Sequence, residues 1–318
     1  MSGIVRKTAM RQIAQRSVSA AMLHTFTAAP LQVSGRDGSV RENRMTSVED
    51  KKIRLIIACH KKCEVPEDPV YLPLHVGAEG KEPFGFTGDN TGDNISAKNP
   101  VYCELTGLYW AWKNLDCDYL GLVHYRRYFT VKSRSEQKKN GPLQSVLTEE
   151  ELRELLSRYR VLVPKKRHYY IESVYSHYSH TFDGTQLDKA REILVRRYPD
   201  YVDAFDRFMK QTGAYIFNMF VMPKDLADEY FAWLFDILGE LEKMVDISGM
   251  SAFDARYAGR VSERLFNVWL MHQVDTGRLK KSEIGEVPYL YLGQVDWKRK
   301  ITGFLRAKFF HKKYEKSF

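Results

Sequence analysis

The sequence predicts an α/β domain built on a mostly parallel sheet, and three observations carry that expectation. Ile53–Ala58 is a short, β-branched apolar run with the composition of a strand buried on both faces. Tyr119–Val123 is a second run of the same kind. Between them Leu105, Leu108, Tyr109, Trp112 and Leu115 recur at helical spacing, which predicts an amphipathic helix from about 101 to 115. Strand, helix, strand in that order is a βαβ unit, and the strands of such a unit run parallel.

The elements follow in order. Residues 1–36 hold five Lys/Arg and no acid, a transit-peptide-like composition. A disordered leader or an overextended start, with Met45 just before the first strand, is the reading preferred for 1–50. The first strand ends in the polar turn His60-Lys61-Lys62, and residues 64–100, rich in Pro, Gly, Asp and Asn, predict a long ordered surface loop. After the Tyr119–His124 strand, polar residues 132–146 predict a mobile excursion. Thr148-x-x-Glu151 is a capping box, which starts a helix carrying Leu152, Leu155 and Leu156. Arg160–Pro164 reads as a short parallel strand, residues 165–185 as a polar and aromatic stretch, and 186–211 as helical. Ala214–Met222 predicts a further strand. Pro223 opens a helix bearing Leu226, Tyr230, Trp233, Leu234, Ile237 and Leu241, and Ser262–His272 is a shorter helix. The expected organisation is a leader over 1–50, one domain over 51–297 and a tail over 298–318.

Charge narrows the function classes. The chain of 318 residues carries a formal net charge of +9, but residues 51–297 hold 34 basic and 35 acidic side chains. The basicity belongs to the ends, so the body has no nucleic-acid footprint and no nucleic-acid partner is expected. Cys59-His60-x-x-Cys63 lacks the second ligand pair that a zinc site needs. Cys59, Cys63, Cys103 and Cys117 therefore read as thiols in a reducing compartment, Cys59 and Cys103 as buried ones.

The densest chemistry follows the second strand, in His124-Tyr-Arg126-Arg127-Tyr-Phe129. Ligands of open α/β sheets bind just past the carboxyl ends of strands. Two adjacent guanidiniums there form a permanently charged fork for phosphate or carboxylate oxygens, unless acidic neighbours pair with them on a solvated turn. Gly88-Asp-Asn-Thr-Gly-Asp93-Asn94-Ile-Ser96-Ala-Lys98-Asn99 offers the donors and acceptors that a ribose or sugar needs, or else stabilises its own turns. His177 and His180 lie three residues apart, and substrate hydrogen bonding suits them better than a metal that has no third ligand. Glu263 falls in the first turn of the predicted Ser262–His272 helix, where the dipole favours an ionised carboxylate able to act as a general base. Pairing with Arg260 or Arg264 is the structural alternative.

Together, Ala58-Cys-His60-Lys61-Lys62, Thr91-Gly-Asp93-Asn94-Ile-Ser96, Tyr102–Asn114, the His124–Phe129 run, Phe217-Asn218-Met-Phe220 and Ser262-Glu263-Arg264-Leu265 resemble one family. It is that of the bacterial capsular and exopolysaccharide glycosyltransferases, which includes galactofuranosyltransferases. The resemblance covers about 53–295 and implies a GT-A-like nucleotide-sugar-binding fold. It implies transfer of a sugar, with inversion, from a nucleotide donor onto a growing capsular, exopolysaccharide or O-antigen glycan, free or lipid-linked. UDP-galactofuranose is the leading donor, and another nucleotide-hexose or a non-catalytic glycan-binding role are the alternatives. On this reading His60, Lys61, Asp93, Asn94, Lys98, Asn99, His124, Arg126 and Arg127 bind the donor. His177, His180 and Asn218 bind the acceptor, and Glu263 is catalytic. The chain departs from the broader GT-A pattern in having no Asp-x-Asp after the Tyr119 strand. No metal ligand is assigned and no cofactor is firm, with manganese or magnesium left open; arginines standing in for the metal are this chain's own inference.

In the tail, Ile301, Phe304, Leu305, Phe309 and Phe310 fall largely on one helical side among Lys300, Arg306, Lys312, Lys313 and Lys316. That pattern predicts a basic amphipathic helix on an anionic membrane surface, hence a cytoplasmic protein peripheral to the inner face of the cell membrane.

Overall fold

The computed structural model describes residues 48–293. Most of the leader and the whole basic tail lie outside the described residues. Strands β1 (Ile53–Cys59), β2 (Tyr71–His75), β3 (Thr87–Gly88), β4 (Tyr119–His124), β5 (Arg127–Phe129) and β6 (Val161–Pro164) are followed by a separate ribbon of β7 (Arg167–His168) and β8 (Gly213–Ala214). Strands β9 (Phe220–Pro223), β10 (Ile284–Val287) and β11 (Tyr289–Tyr291) complete the main sheet. Its spatial order is β10-β6-β9-β4-β1-β2-β3, with β5 and β11 added beside the end of β4. The sheet is mostly parallel: only β9 and β5 oppose the common direction.

Both faces of the sheet are covered, which is why β1 shows no polar alternation. Ile56 and Ala58 enter the core on one face, and Leu55, Ile57 and Cys59 enter the core on the other. Helices α1 (Asn99–Tyr102), α2 (Leu105–Asn114), α3 (Arg134–Asn140), α4 (Glu149–Arg158) and α5 (Val174–Thr181) are followed by α6 (Thr185–Arg197) and α7 (Val202–Met209). The long helices α8 (Lys224–Met244) and α9 (Tyr257–Asp275) come last. Residues of α2 and α5–α9 fill the first core, and Leu152 and Leu156 of α4 fill the second. No helix among the described residues is long and apolar enough to cross a membrane.

Several sequence expectations are corrected. The loop over 64–100 contains β2 and β3, hidden because β2 is short and carries Pro73, a residue that argues against a strand. The excursion over 132–146 contains α3, started by a capping box in which Ser133 and Glu136 satisfy each other's backbone amides. The helix over 101–115 is two helices, broken where Cys103 takes a left-handed φ of 54°. The helical stretch 186–211 divides at Pro199–Tyr201 into α6 and α7. Residues 165–185, without assigned structure, include α5. The strand over Ala214–Met222 is cut into β8 and β9 by a turn at Phe217-Asn218, and α9 begins at Tyr257, before Ser262.

Candidate functional site

The sheet itself marks the place. From β1 the chain moves to β2 on one side and later returns to β4 on the other, so β1 and β4 form a topological switch point. Their register pairs Ala58 with His124, which brings the residues just beyond the two strand ends together. The His60 ring meets Tyr125 edge-on with centroids 4.8 Å apart, and the Tyr125 hydroxyl lies 3.5 Å from His60 Nε2.

Positive charge converges there. Burial, then the charges of Arg256, Lys61, Arg126 and Lys81, push His60 below the ordinary imidazole range. Arg126 donates from Nη1 to the Tyr291 hydroxyl at 3.3 Å. The Arg127 guanidinium lies 4.3 Å from the centre of the Phe217 ring and 5.4 Å from that of Tyr291. Neither Arg126 nor Arg127 forms an ion pair with a carboxylate among the described residues. The alternative in which they are neutralised by acidic neighbours therefore finds no partner, and the fork is left open to an anion.

Opposite the fork stands the turn that splits β8 from β9. Phe217 and Asn218 have φ values of 73° and 53°, a conformation that costs an L-residue about 1–2 kcal/mol each. Side chains hold it in place. Asn218 is 3% exposed; its Nδ2 donates to Glu104 Oε1 at 2.8 Å and to the Gly259 carbonyl at 3.0 Å. Its Oδ1 accepts from the Ser262 hydroxyl at 2.9 Å. His124 donates from Nε2 to the Phe217 carbonyl at 2.6 Å, and Glu263 Oε1 accepts from the Phe217 amide at 3.0 Å. Burial holds His124 below its usual value, so the ring is the neutral tautomer with the proton on Nε2. Asn218→Ala removes three hydrogen bonds, two of them buried, and a residue suited to the left-handed region, so denaturant unfolding should show a loss of about 2–4 kcal/mol. An unfolding midpoint equal to the parent's would mean that the side chain does not hold the turn.

Glu263 is corrected in position and in cause. It lies in the second turn of α9, so the helix N-terminus does not govern it. Burial raises its carboxyl above the usual range, opposed by Arg264, whose Nη1 is 2.5 Å from Oε2, by the Phe217 amide and by Arg127, and reinforced by Glu104. Its side chain remains 19% exposed, with Oε1 on the Phe217 amide and Oε2 on Arg264, which meets the pairing alternative.

The remaining candidates lie in other settings. Lys98 pairs with Glu242 at 2.7 Å, and Asn99 caps its own helix by donating to the Cys103 carbonyl at 2.7 Å. Asn94 bonds Gly92 and Ser96 within its turn, while exposed Asp93 accepts from the Tyr109 hydroxyl at 3.2 Å. Asp89 is fully buried and takes bonds from the amides of Gly77 and Ala78 and the hydroxyls of Ser96 and Thr106, so the loop around it is fixed from within. His177 and His180, on α5, direct Nδ1 at Glu172 from 3.1 and 2.8 Å. Burial pushes His177 down to about 4 and outweighs that carboxylate. Lys61 lies 5.9 Å from the Tyr125 ring centre, on the rim of the cationic group.

Two residues of the site, Arg256 and Tyr291, carried no sequence signal, and a third, Glu104, lay within the Tyr102–Asn114 motif with no role assigned to it. Arg256 reaches it from the loop before α9, Glu104 from the break between α1 and α2, and Tyr291 from β11. Only the fold brings these segments together. The groups around the strand ends are mainly guanidiniums and imidazoles, and the two carboxylates of the site, Glu104 and Glu263, are engaged by Asn218 and by Arg264 and the Phe217 amide, a poor set for a hard cation that requires several oxygen ligands. Among the described residues no three His, Cys, Asp or Glu side chains converge on a common metal position.

Residues 54–274 match the family described as "Domain of unknown function (DUF4422)". No curated protein shows a significant match. Among solved structures, the chain is similar to the apo structure of the bifunctional glycosyltransferase WbbM, with 31% identity and a TM-score of 0.69. The similarity covers 76% of this chain and 46% of that one, so the chain spans less than half the length of the protein it matches.

Proposed function

The chain belongs to the DUF4422 family, and from that premise and the site we propose that it is a glycosyltransferase acting on a nucleotide-sugar. The observation that carries this reading is the pair of guanidiniums at the switch point, Arg126 and Arg127, unpaired with acids among the described residues, with Arg127 close enough to the half-buried carboxylate Glu263 to act on its charge. The similarity to WbbM supports the reaction class.

In the proposed reaction an acceptor hydroxyl oxygen forms a bond to the anomeric carbon while the bond from that carbon to the nucleoside diphosphate breaks. Glu263 takes the hydroxyl proton, and the electron pair leaves with the diphosphate. Arg126, Arg127 and Arg256 offset the charge that develops on the departing oxygens, a contribution strongest where water is excluded. Attack from the side opposite the leaving group inverts the anomeric centre. Neutral His60, with Lys61 at the rim, contributes hydrogen bonds to the phosphates or sugar. His124 acts through the Phe217 carbonyl, and Asn218 positions the same turn. UDP-galactofuranose is the proposed donor and a capsular, exopolysaccharide or O-antigen glycan the proposed acceptor, on the strength of the sequence motifs. A panel of UDP-sugars incubated with the full chain tests this: UDP release with one donor is expected, and it should persist in excess chelator. Failure of every nucleotide-sugar either to turn over or to raise thermal stability would reject the donor site. Loss of turnover on chelation, restored by manganese or magnesium, would reject the guanidinium-only description of the leaving-group site.

A further inference from the structure

The two most exposed large apolar side chains among the described residues are neighbours. Tyr170 is 84% exposed and Ile171 is 72% exposed, whereas the other exposed large apolar residues lie between 45% and 48%. Scattered single apolar residues at a surface are ordinary; an adjacent pair at one tip is not. With buried Tyr169 between, the pair follows Lys165, Lys166, Arg167 and His168, of which only Lys166 is partly covered, lying 4.8 Å from the Tyr215 ring centre. None of the four forms an ion pair among the described residues.

The loop is built to present this tip. Arg167 and His168 form β7 and pair with Ala214 and Gly213 of β8. Beyond the ribbon the Tyr169 amide donates to the Thr212 carbonyl at 2.7 Å, and Tyr169 is buried against His177, with ring centroids 4.1 Å apart. The chain then reverses: Tyr170 takes a left-handed φ of 58°, and the Ile171 amide donates to the Tyr169 carbonyl at 2.8 Å. On the return the Val174 amide donates to the Gln211 carbonyl at 2.7 Å. The base is fixed on both sides, while the strained reversal turns two apolar side chains outward into water.

We propose that residues 165–171 form a lipid-contact finger, with Tyr170 and Ile171 entering the interface of an anionic bilayer and Lys165, Lys166 and Arg167 meeting its headgroups. Tyrosine is suited to the headgroup level, and basic side chains near the surface are drawn to anionic lipid. A glycan would also stack on an exposed tyrosine, but Ile171 has no polar atom to offer a sugar and favours the acyl boundary. The inference stands apart from the proposed transfer chemistry, since binding is read without donor or acceptor.

Hydrogen exchange of the full chain, alone and with vesicles of phosphatidylcholine and phosphatidylglycerol, tests it. Peptides spanning 165–172 should gain protection with these vesicles and not with phosphatidylcholine alone. The double variant Tyr170→Ser/Ile171→Ser, altered only at exposed positions, should keep its thermal stability and lose vesicle affinity about tenfold or more. Vesicle binding without protection of 165–172, or a double variant that binds like the parent, would overturn the proposal. Protection of 165–172 by a soluble oligosaccharide but not by anionic vesicles would reassign the finger to glycan and equally overturn it.

Discussion

Replacing Glu263 with Gln should lower turnover by at least about a hundredfold while UDP affinity stays within a few-fold of the parent. The amide keeps the shape of the side chain and an oxygen to accept the Phe217 amide, but it cannot take a proton. A carboxyl raised by burial also predicts the form of the pH profile. The base is present above its raised pKa and is lost as pH falls through it, so the acidic limb of kcat should lie above the usual carboxylate range and vanish in the variant. The Gln nitrogen would face Arg264 donor to donor, so thermal stability and UDP binding are measured alongside turnover. Turnover within a few-fold of the parent, in a folded and UDP-binding variant, would leave Glu263 as the anchor of the turn only.

Arg126→Ala and Arg127→Ala should each weaken UDP binding by about thirtyfold, equivalent to about 2 kcal/mol, and lower turnover further. The larger effect on turnover follows because negative charge on the departing diphosphate grows as the sugar bond breaks. Arg127 is expected to be the more sensitive of the two, being packed against Phe217 and Tyr291, while Arg126 is exposed and faces more solvent screening. Lysine at 127 should recover only part of the loss, because an ammonium keeps the charge but not the planar fork. Unchanged UDP affinity and unchanged turnover in both alanine variants would remove this site from the mechanism.

The elements legible in the sequence were those whose pattern is local. β1 and β4 declared themselves by β-branched apolar runs, α4 by its capping box and α8 by a long apolar stripe. The adjacent arginines stood out because they directly follow a strand end, where open α/β sheets bind their ligands. What escaped depends on contacts distant in sequence. β2 exists because β1 supplies its partner, and Arg256 joins the site because α9 packs against the break at Cys103. The start of α9 was the largest miss: the helix begins at Tyr257 and includes Gly259, where a Cβ would stand 3.3 Å from that of Cys103. A glycine suits that close approach, and the expected start at Ser262 moved Glu263 into a first turn it does not occupy. The paired histidines show the same limit, since only the fold reveals that Glu172 stands between them.

One residue ties the two halves of the site together. The ring of Phe217 lies under Arg127, its carbonyl accepts a hydrogen bond from His124 and its amide donates one to Glu263. Drift in either half is therefore felt by the other within a single residue. A lineage that changes its donor has few routes open. Substitutions that move the arginine fork also shift the carboxylate unless all three ends of residue 217 keep their partners. Variation among descendants should thus collect at the outer rim, around Lys61 and Tyr291, and the Phe217-Asn218 turn should vary least.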